Sequence, residues 1–199
     1  LTDASNILET ESNMRESTHL TCPPRIRRLQ VPGLVQLEQL SQVLVDCVEG
    51  GASVGFMLPL SLDRALAFWQ GVAAGAARGA RVLLVAEDEA GICGTVQLVV
   101  DLPENQPHRA DVSKMLVHRR ARRGGLGRAL MQAVEAEALA MGKTLLVLDT
   151  ASAEAERLYA RQGWVRCGVI PGFALLPAGG SCNTTLYYRQ LADSETPGL

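Results

Sequence analysis

Apolar residues recur at three- and four-residue steps from Leu34 through Leu37, Leu40 and Leu44 to Val48, the spacing that places them on one side of a helix. Pro32-Gly33 introduces this segment and Gly50-Gly51 stops it. A second helix is expected over residues 61–78, with Ser61 as its cap and Gly79 at its end. Residues 52–60 between them form a loop that carries Phe56 and Met57. Ahead of the first helix, residues 25–30 mix apolar and basic side chains as a half-buried strand does. Two apolar runs, 82–86 and 92–100, flank Asp88-Glu89-Ala90-Gly91, which is a hairpin signal. Residues 110–117 are a further strand. A long helix follows over 126–141, with Leu126, Leu130, Met131, Val134 and Met141 on or near one face and Gly142 after it. Residues 144–148 are almost wholly apolar and read as a strand buried on both faces. A shorter helix over 153–162 has Glu154 and Glu156 in its first turn, where the helix dipole favours negative charge. Strands at 165–169 and 184–189 complete the pattern.

The order of elements predicts one α/β (α+β) domain, a mixed sheet flanked by helices, over residues 25–191. Residues 1–24 are polar, end in Pro23-Pro24 and read as a disordered tail, and residues 192–199 as a second tail. With 199 residues, 47% of them hydrophobic, there is apolar material for one sizeable core. The net charge of −2 gives no overall basic field for a nucleic acid. The local cluster Arg119, Arg120, Arg122 and Arg123 suits a small anionic ligand instead.

The five cysteines (Cys22, Cys47, Cys93, Cys167, Cys182) are odd in number and none shows C-x-x-C spacing. That argues against a zinc site and a disulfide framework, and for reduced thiols in the cytosol. His19, His108 and His118 lack metal-ligand spacing, so no metal is expected. No apolar run approaches the ~20 residues that cross a bilayer. The N-terminus lacks the basic-then-apolar order of a secretory signal. The expectation is a cytoplasmic protein without membrane or nucleic-acid partners.

Arg122-Arg123-Gly124-Gly125-Leu126-Gly127-Arg128 lies between a strand and a helix. Glycines there let successive backbone N–H groups point into one concavity, and the helix N-terminus adds free donors with partial positive charge. The expected product is a phosphate site, with a plain strand-to-helix connection as the alternative. A Walker loop would need Gly-Lys-Ser/Thr, which is absent, and a dinucleotide fingerprint would need a third glycine where Leu130 stands.

Arg122-x-x-Gly125-x-Gly127 resembles the Gln/Arg-x-x-Gly-x-Gly/Ala signature of the GNAT superfamily of N-acetyltransferases. Val112 to Val117 is similar to that family's fourth strand, and Leu158-Tyr159-Ala160-Arg161-Gln162-Gly163-Trp164 to its Leu-Tyr-x-x-x-Gly-Phe/Trp segment. Within the family, Gly50-Gly51-Ala52-Ser53-Val54-Gly55-Phe56-Met57, Val85-Ala86-Glu87-Asp88, Leu148-Asp149-Thr150 and Pro171-Gly172 resemble the tabtoxin resistance acetyltransferases.

The resemblance implies a sheet splayed between its fourth and fifth strands, with acetyl-CoA in the gap as acyl donor. The pantetheine arm is then expected along the backbone of Met115, Leu116 and Val117. The pyrophosphate is expected on Arg122, Arg123, Gly124, Gly125, Leu126, Gly127 and Arg128. The acceptor is expected to be a small-molecule amine, such as a tabtoxinine-β-lactam-like, antibiotic or amino-acid-like compound. A protein N-terminus or lysine, or a non-catalytic acyl-CoA sensor, are the alternatives. The enzyme is expected as a monomer or homodimer.

Attack on a thioester needs a neutral amine, although alkylamines have a pKa of ~10, and the departing sulfur needs a proton. The family's tyrosine at the place of Tyr159 points at that sulfur, which makes Tyr159 the candidate acid. A core aromatic with its hydroxyl bonded to backbone is the structural alternative. Asp149 ends an apolar strand at the carboxyl end of the sheet, where α/β sheets hold ligands, and is the candidate base. Its alternative is a cap for the next helix, and Glu87 is a weaker rival base. The family's Asn after the fifth strand is missing from Thr150-Ala151-Ser152-Ala153-Glu154. Arg119 and Arg120 read as solvated flanks.

Overall fold

Leu37, Leu40, Leu44 and Val48 are each at most 7% exposed on one side of the first helix, so the three-and-four spacing becomes a buried stripe from Leu37 on, while Leu34, which opens the pattern, is 71% exposed. The computed structural model describes residues 23–191. The two expected tails lie almost wholly outside them.

The chain runs β1 (Arg25–Arg28), α1 (Leu34–Glu49), α2 (Leu62–Ala77), β2 (Arg81–Asp88), β3 (Gly91–Val99) and β4 (Arg109–Val117). It continues through α3 (Leu126–Ala140), β5 (Leu145–Thr150), α4 (Ala153–Arg161), β6 (Val165–Leu175) and β7 (Ser181–Gln190). A single 3-10 turn, Arg119–Ala121, follows β4. Helix starts follow local chemistry. Ser61 accepts from Arg64 N at 3.2 Å, and the Gln36 side chain accepts from Gly33 N at 2.8 Å.

The seven strands form one sheet in the order β1-β2-β3-β4-β5-β7-β6. All neighbours are antiparallel except β4 and β5. One core lies under α1 and α2 and contains Leu40, Leu44, Trp69, Leu83 and Val85. The other lies under α3 and contains Val96, Leu98, Leu130, Met131, Val134 and Leu146. Burying each of these large side chains contributes roughly 1.5–3 kcal/mol.

Three expectations need correction. β5 is not buried on both faces: Leu146 and Leu148 enter the α3 core, but Val147 is half-buried and Asp149 exposed. The reason is that α1 and α2 pack on β2, β3 and β4 and leave the same face of β5 uncovered. Met141 does not join the α3 stripe. It caps that helix at 39% exposure, and Ala138 takes the buried place. The last two strands are longer than their apolar patterns, because β6 and β7 pair with each other as far as Leu175↔Ser181.

Candidate active site

Parallel pairing between β4 and β5 covers Arg109↔Leu145, Ala110↔Leu146 and Asp111↔Val147, and then ends. Beyond Asp111 the strands part, and a cleft of about 1300 Å³ opens between them. A β-bulge helps to part them. β4 pairs with β3 at Ser113↔Gln97 and again at Leu116↔Thr95, so Lys114 and Met115 together face only Val96. Lys114 takes φ of 50° there. Arg123, with φ of 64°, is the other non-glycine residue of this kind among the described residues, and both line the cleft. Side chains in left-handed backbone are uncommon and collect at functional sites.

At one end lies the glycine turn. Gly125 has φ of 80° and caps α3, which fixes the direction of the helix start. The N–H groups from Arg123 to Arg128 find no backbone acceptor. They are the free donors expected at a helix N-terminus. Gly127 is held close, since a Cβ there would sit 3.2 Å from Leu158 Cδ2.

Arg119 and Arg120 are exposed and stay off the cleft lining, as flanks, but each is tied to an acidic partner. Arg119 donates through its Nε and its backbone N–H to the Asp46 carboxylate. Arg120 donates to Asp88 at 3.1 Å and to the carbonyls of Gly91 and Ile92. Arg122 donates to the Val117 carbonyl at 2.9 Å and approaches Asp46 at 3.7 Å. Asp46, only 7% exposed near the end of α1, therefore ties the turn to the first helix. Cys47 beside it donates to the same Val117 carbonyl at 3.5 Å, and burial pushes its thiol pKa up. The Leu116 side chain is packed into the α1 core, so its backbone is what meets the cleft.

Tyr159 and Asp149 both line the middle of the cleft. Tyr159 is 5% exposed and packs its ring on Trp164 and Tyr187, with centroids 6.0 and 5.7 Å away. Its hydroxyl makes no hydrogen bond to a described residue, and the side chain lines the cleft. Burial, with help from the charge of Asp149, raises its pKa strongly, so it stays protonated. Asp149 is not a helix cap. Ser152 fills that place, accepting from Ala155 N at 3.3 Å. Asp149 Oδ2 instead accepts from Thr184 at 2.8 Å. The rival Glu87 is held by Arg27 through bonds of 2.7 and 2.6 Å at the β1–β2 edge, away from the cleft.

The far end is roofed by the 52–60 loop and the β6–β7 hairpin. Ser53 donates to the Leu175 carbonyl at 3.1 Å and Leu58 N to the Pro177 carbonyl at 2.9 Å. Lys114, Thr184, Asp46 and Phe173 belong to the cleft or its frame and escaped the sequence reading. The legible signal was Lys114, a charge directly before the apolar run Met115-Leu116-Val117. Among the described residues, no three His, Cys, Asp or Glu side chains group as metal ligands, and no helix is long and apolar enough to cross a membrane.

A family model for the acetyltransferase (GNAT) domain matches residues 79–166, the stretch from β2 through the glycine turn to α4. An uncharacterized N-acetyltransferase in the hisH-hisA intergenic region of Azospirillum brasilense is 32% identical over 126 residues, 62% of this chain and 73% of that protein. The chain belongs to the GNAT family of acetyltransferases. This GNAT chain is accordingly an acyltransferase of the N-acetyltransferase type. Its fold is shared by the Salmonella typhimurium protein yncA, solved with acetyl-CoA, at TM-score 0.69 and 21% identity over 89% of this chain and 99% of that one. A phosphinothricin acetyltransferase from Sinorhizobium meliloti in complex with acetyl-CoA gives 0.70 and 16% over 89% and 94%. A ribosomal-protein-alanine N-acetyltransferase from Brucella melitensis gives 0.71 and 23% over 84% and 99%. At these identities the likeness is one of fold.

Proposed function

We propose that this GNAT acetyltransferase moves an acetyl group from acetyl-CoA to the amine of a small, amino-acid-like acceptor. The observation that carries the reading is the joint placement of a free Tyr159 hydroxyl and the Asp149 carboxylate in a cleft that begins at an anion-binding turn. The residues fit a long phosphate-bearing ligand. The turn from Arg123 to Arg128 offers unpaired N–H groups, and β4 has no strand partner on its β5 side past Asp111. Bound there, acetyl-CoA supplies an acyl group activated as a thioester.

The chain's own residues supply positioning and protons. Asp149, steadied on one oxygen by Thr184, takes the proton of the acceptor ammonium through its other oxygen. Tyr159, kept protonated by burial, holds a proton for the departing sulfur. Met115, Leu116 and Val117 offer backbone to the pantetheine arm, with the Val117 carbonyl already shared by Arg122 and Cys47. The roof loop, similar in sequence to the tabtoxin resistance enzymes, supports an antibiotic-like or amino-acid-like acceptor over a protein one. The described cysteines are free, which fits a reducing, cytoplasmic setting. Thiol release from acetyl-CoA, measured across a library of small amines and N-terminal peptides, tests the reading. Turnover with small amines is expected, and turnover with peptides alone would overturn the acceptor class.

A further inference from the structure

We infer that Lys114 determines acceptor specificity by holding a carboxylate of the acceptor while Asp149 receives its amine, so that the enzyme selects amino acids over plain amines. The inference rests on the acetyltransferase reading above and names the chemistry of its acceptor end.

Lys114 lines the cleft and makes no ion pair or hydrogen bond with a described residue. Its ammonium stands 5.7 Å from the centre of the Phe68 ring on α2. The bulge and the left-handed backbone at φ of 50° put it there. A lysine is a poor choice for that backbone on propensity alone, which points to a use for its side chain. Burial lowers its pKa, with the Arg81 charge adding to the fall and Asp149 opposing it. An unpaired, partly desolvated cation in a cleft is a site waiting for an anion.

Asp149 lies close enough to act on Lys114 but does not pair with it, and its Oδ2 is taken by Thr184. One cation and one anion thus face the same space without neutralising each other. That is the complement of a zwitterion. A polyamine would meet repulsion from Lys114, and a simple alkylamine would leave Lys114 uncompensated.

The test uses matched pairs: amino acids and the amines left by their decarboxylation, assayed by thiol release with wild type, Lys114→Met and Lys114→Arg. Wild type is expected to favour the acid over its amine by roughly 10–100-fold in kcat/KM, the worth of one charge-assisted hydrogen bond. Lys114→Met should bring the ratio to about one, chiefly through KM for the acid, and Lys114→Arg should restore part of it. Acetyl-CoA affinity serves as the folding control. Equal use of acid and amine by wild type, or an unchanged ratio in Lys114→Met, overturns the inference and leaves the acetyltransferase reading standing. If no amine releases thiol, the acetyltransferase reading fails separately. Calorimetric titration of the CoA-loaded protein with the same amino acids then decides. Binding lost in Lys114→Met supports the carboxylate site, and equal heats in both proteins overturn it.

Discussion

The Thr184 hydroxyl on β7 donates to Asp149 Oδ2 on β5 over 2.8 Å. Thr184 is 2% exposed, so this bond holds the carboxylate by one oxygen while the Asp149 side chain lines the cleft. Thr184→Val keeps the shape and removes the donor. It is expected to lower turnover several-fold with acetyl-CoA affinity retained. Asp149→Asn should lower it more, and most at acidic pH, where the acceptor amine is most fully protonated. Parallel pH–rate profiles of the two variants check this. A uniform loss at all pH values in Asp149→Asn would remove its role as base.

Tyr159→Phe removes a hydroxyl that no described residue holds, while the contacts with Trp164 and Tyr187 remain. Its melting temperature should match or exceed that of wild type. Turnover should fall by roughly 10²–10⁴ under saturating acetyl-CoA. Full turnover would make Tyr159 a packing residue.

The two glycines of the turn should separate in their alanine variants. Gly125 has open space around it but φ of 80°, so Gly125→Ala meets backbone strain of about 1–2 kcal/mol. Gly127→Ala meets a neighbour instead, Leu158 at 3.2 Å, next to Tyr159. Thermal melts should show the first effect, and turnover the second. Glutamate at either position should abolish acetyl-CoA binding in calorimetry, because its charge enters the anion cradle.

Asp46→Asn removes the charge that Arg119, Arg122 and His118 share. Arg119 is 60% exposed, so solvent screens its part, and the expected loss is roughly 1–3 kcal/mol. Because the same contacts hold the turn against α1, acetyl-CoA affinity should fall with stability. Denaturant melts and calorimetry on one preparation measure both.

Lys114→Met should raise the melting temperature at neutral pH. The folded protein holds this lysine below its ordinary value of 10.5, so the unfolded chain binds the proton more tightly. Wild-type stability therefore carries a penalty below the folded pKa, which fades as pH rises toward 10.5. The advantage of Lys114→Met should shrink over that window. A variant less stable than wild type at pH 7 would contradict this.

The sequence alone determined the elements and the glycine turn. Helix faces such as Leu37, Leu40, Leu44 and Val48, and the glycines at 124, 125 and 127, are local properties. A period of 3.6 or a backbone free of Cβ can be read without knowing what lies opposite. Tertiary structure alone decided which charges do what. Glu87 and Asp149 both end apolar strands, but the strand pairing gives Glu87 to Arg27, 60 positions away, and Asp149 to Thr184, 35 away. Arg119 and Arg120 found Asp46 and Asp88 through long-range packing of the turn after β4 against α1 and the β2–β3 hairpin. Lys114 became a cleft residue only because one extra residue bulges β4 where its pairing with β5 stops. Such partners are set by how distant strands align, and a single chain's periodicity carries no record of that alignment.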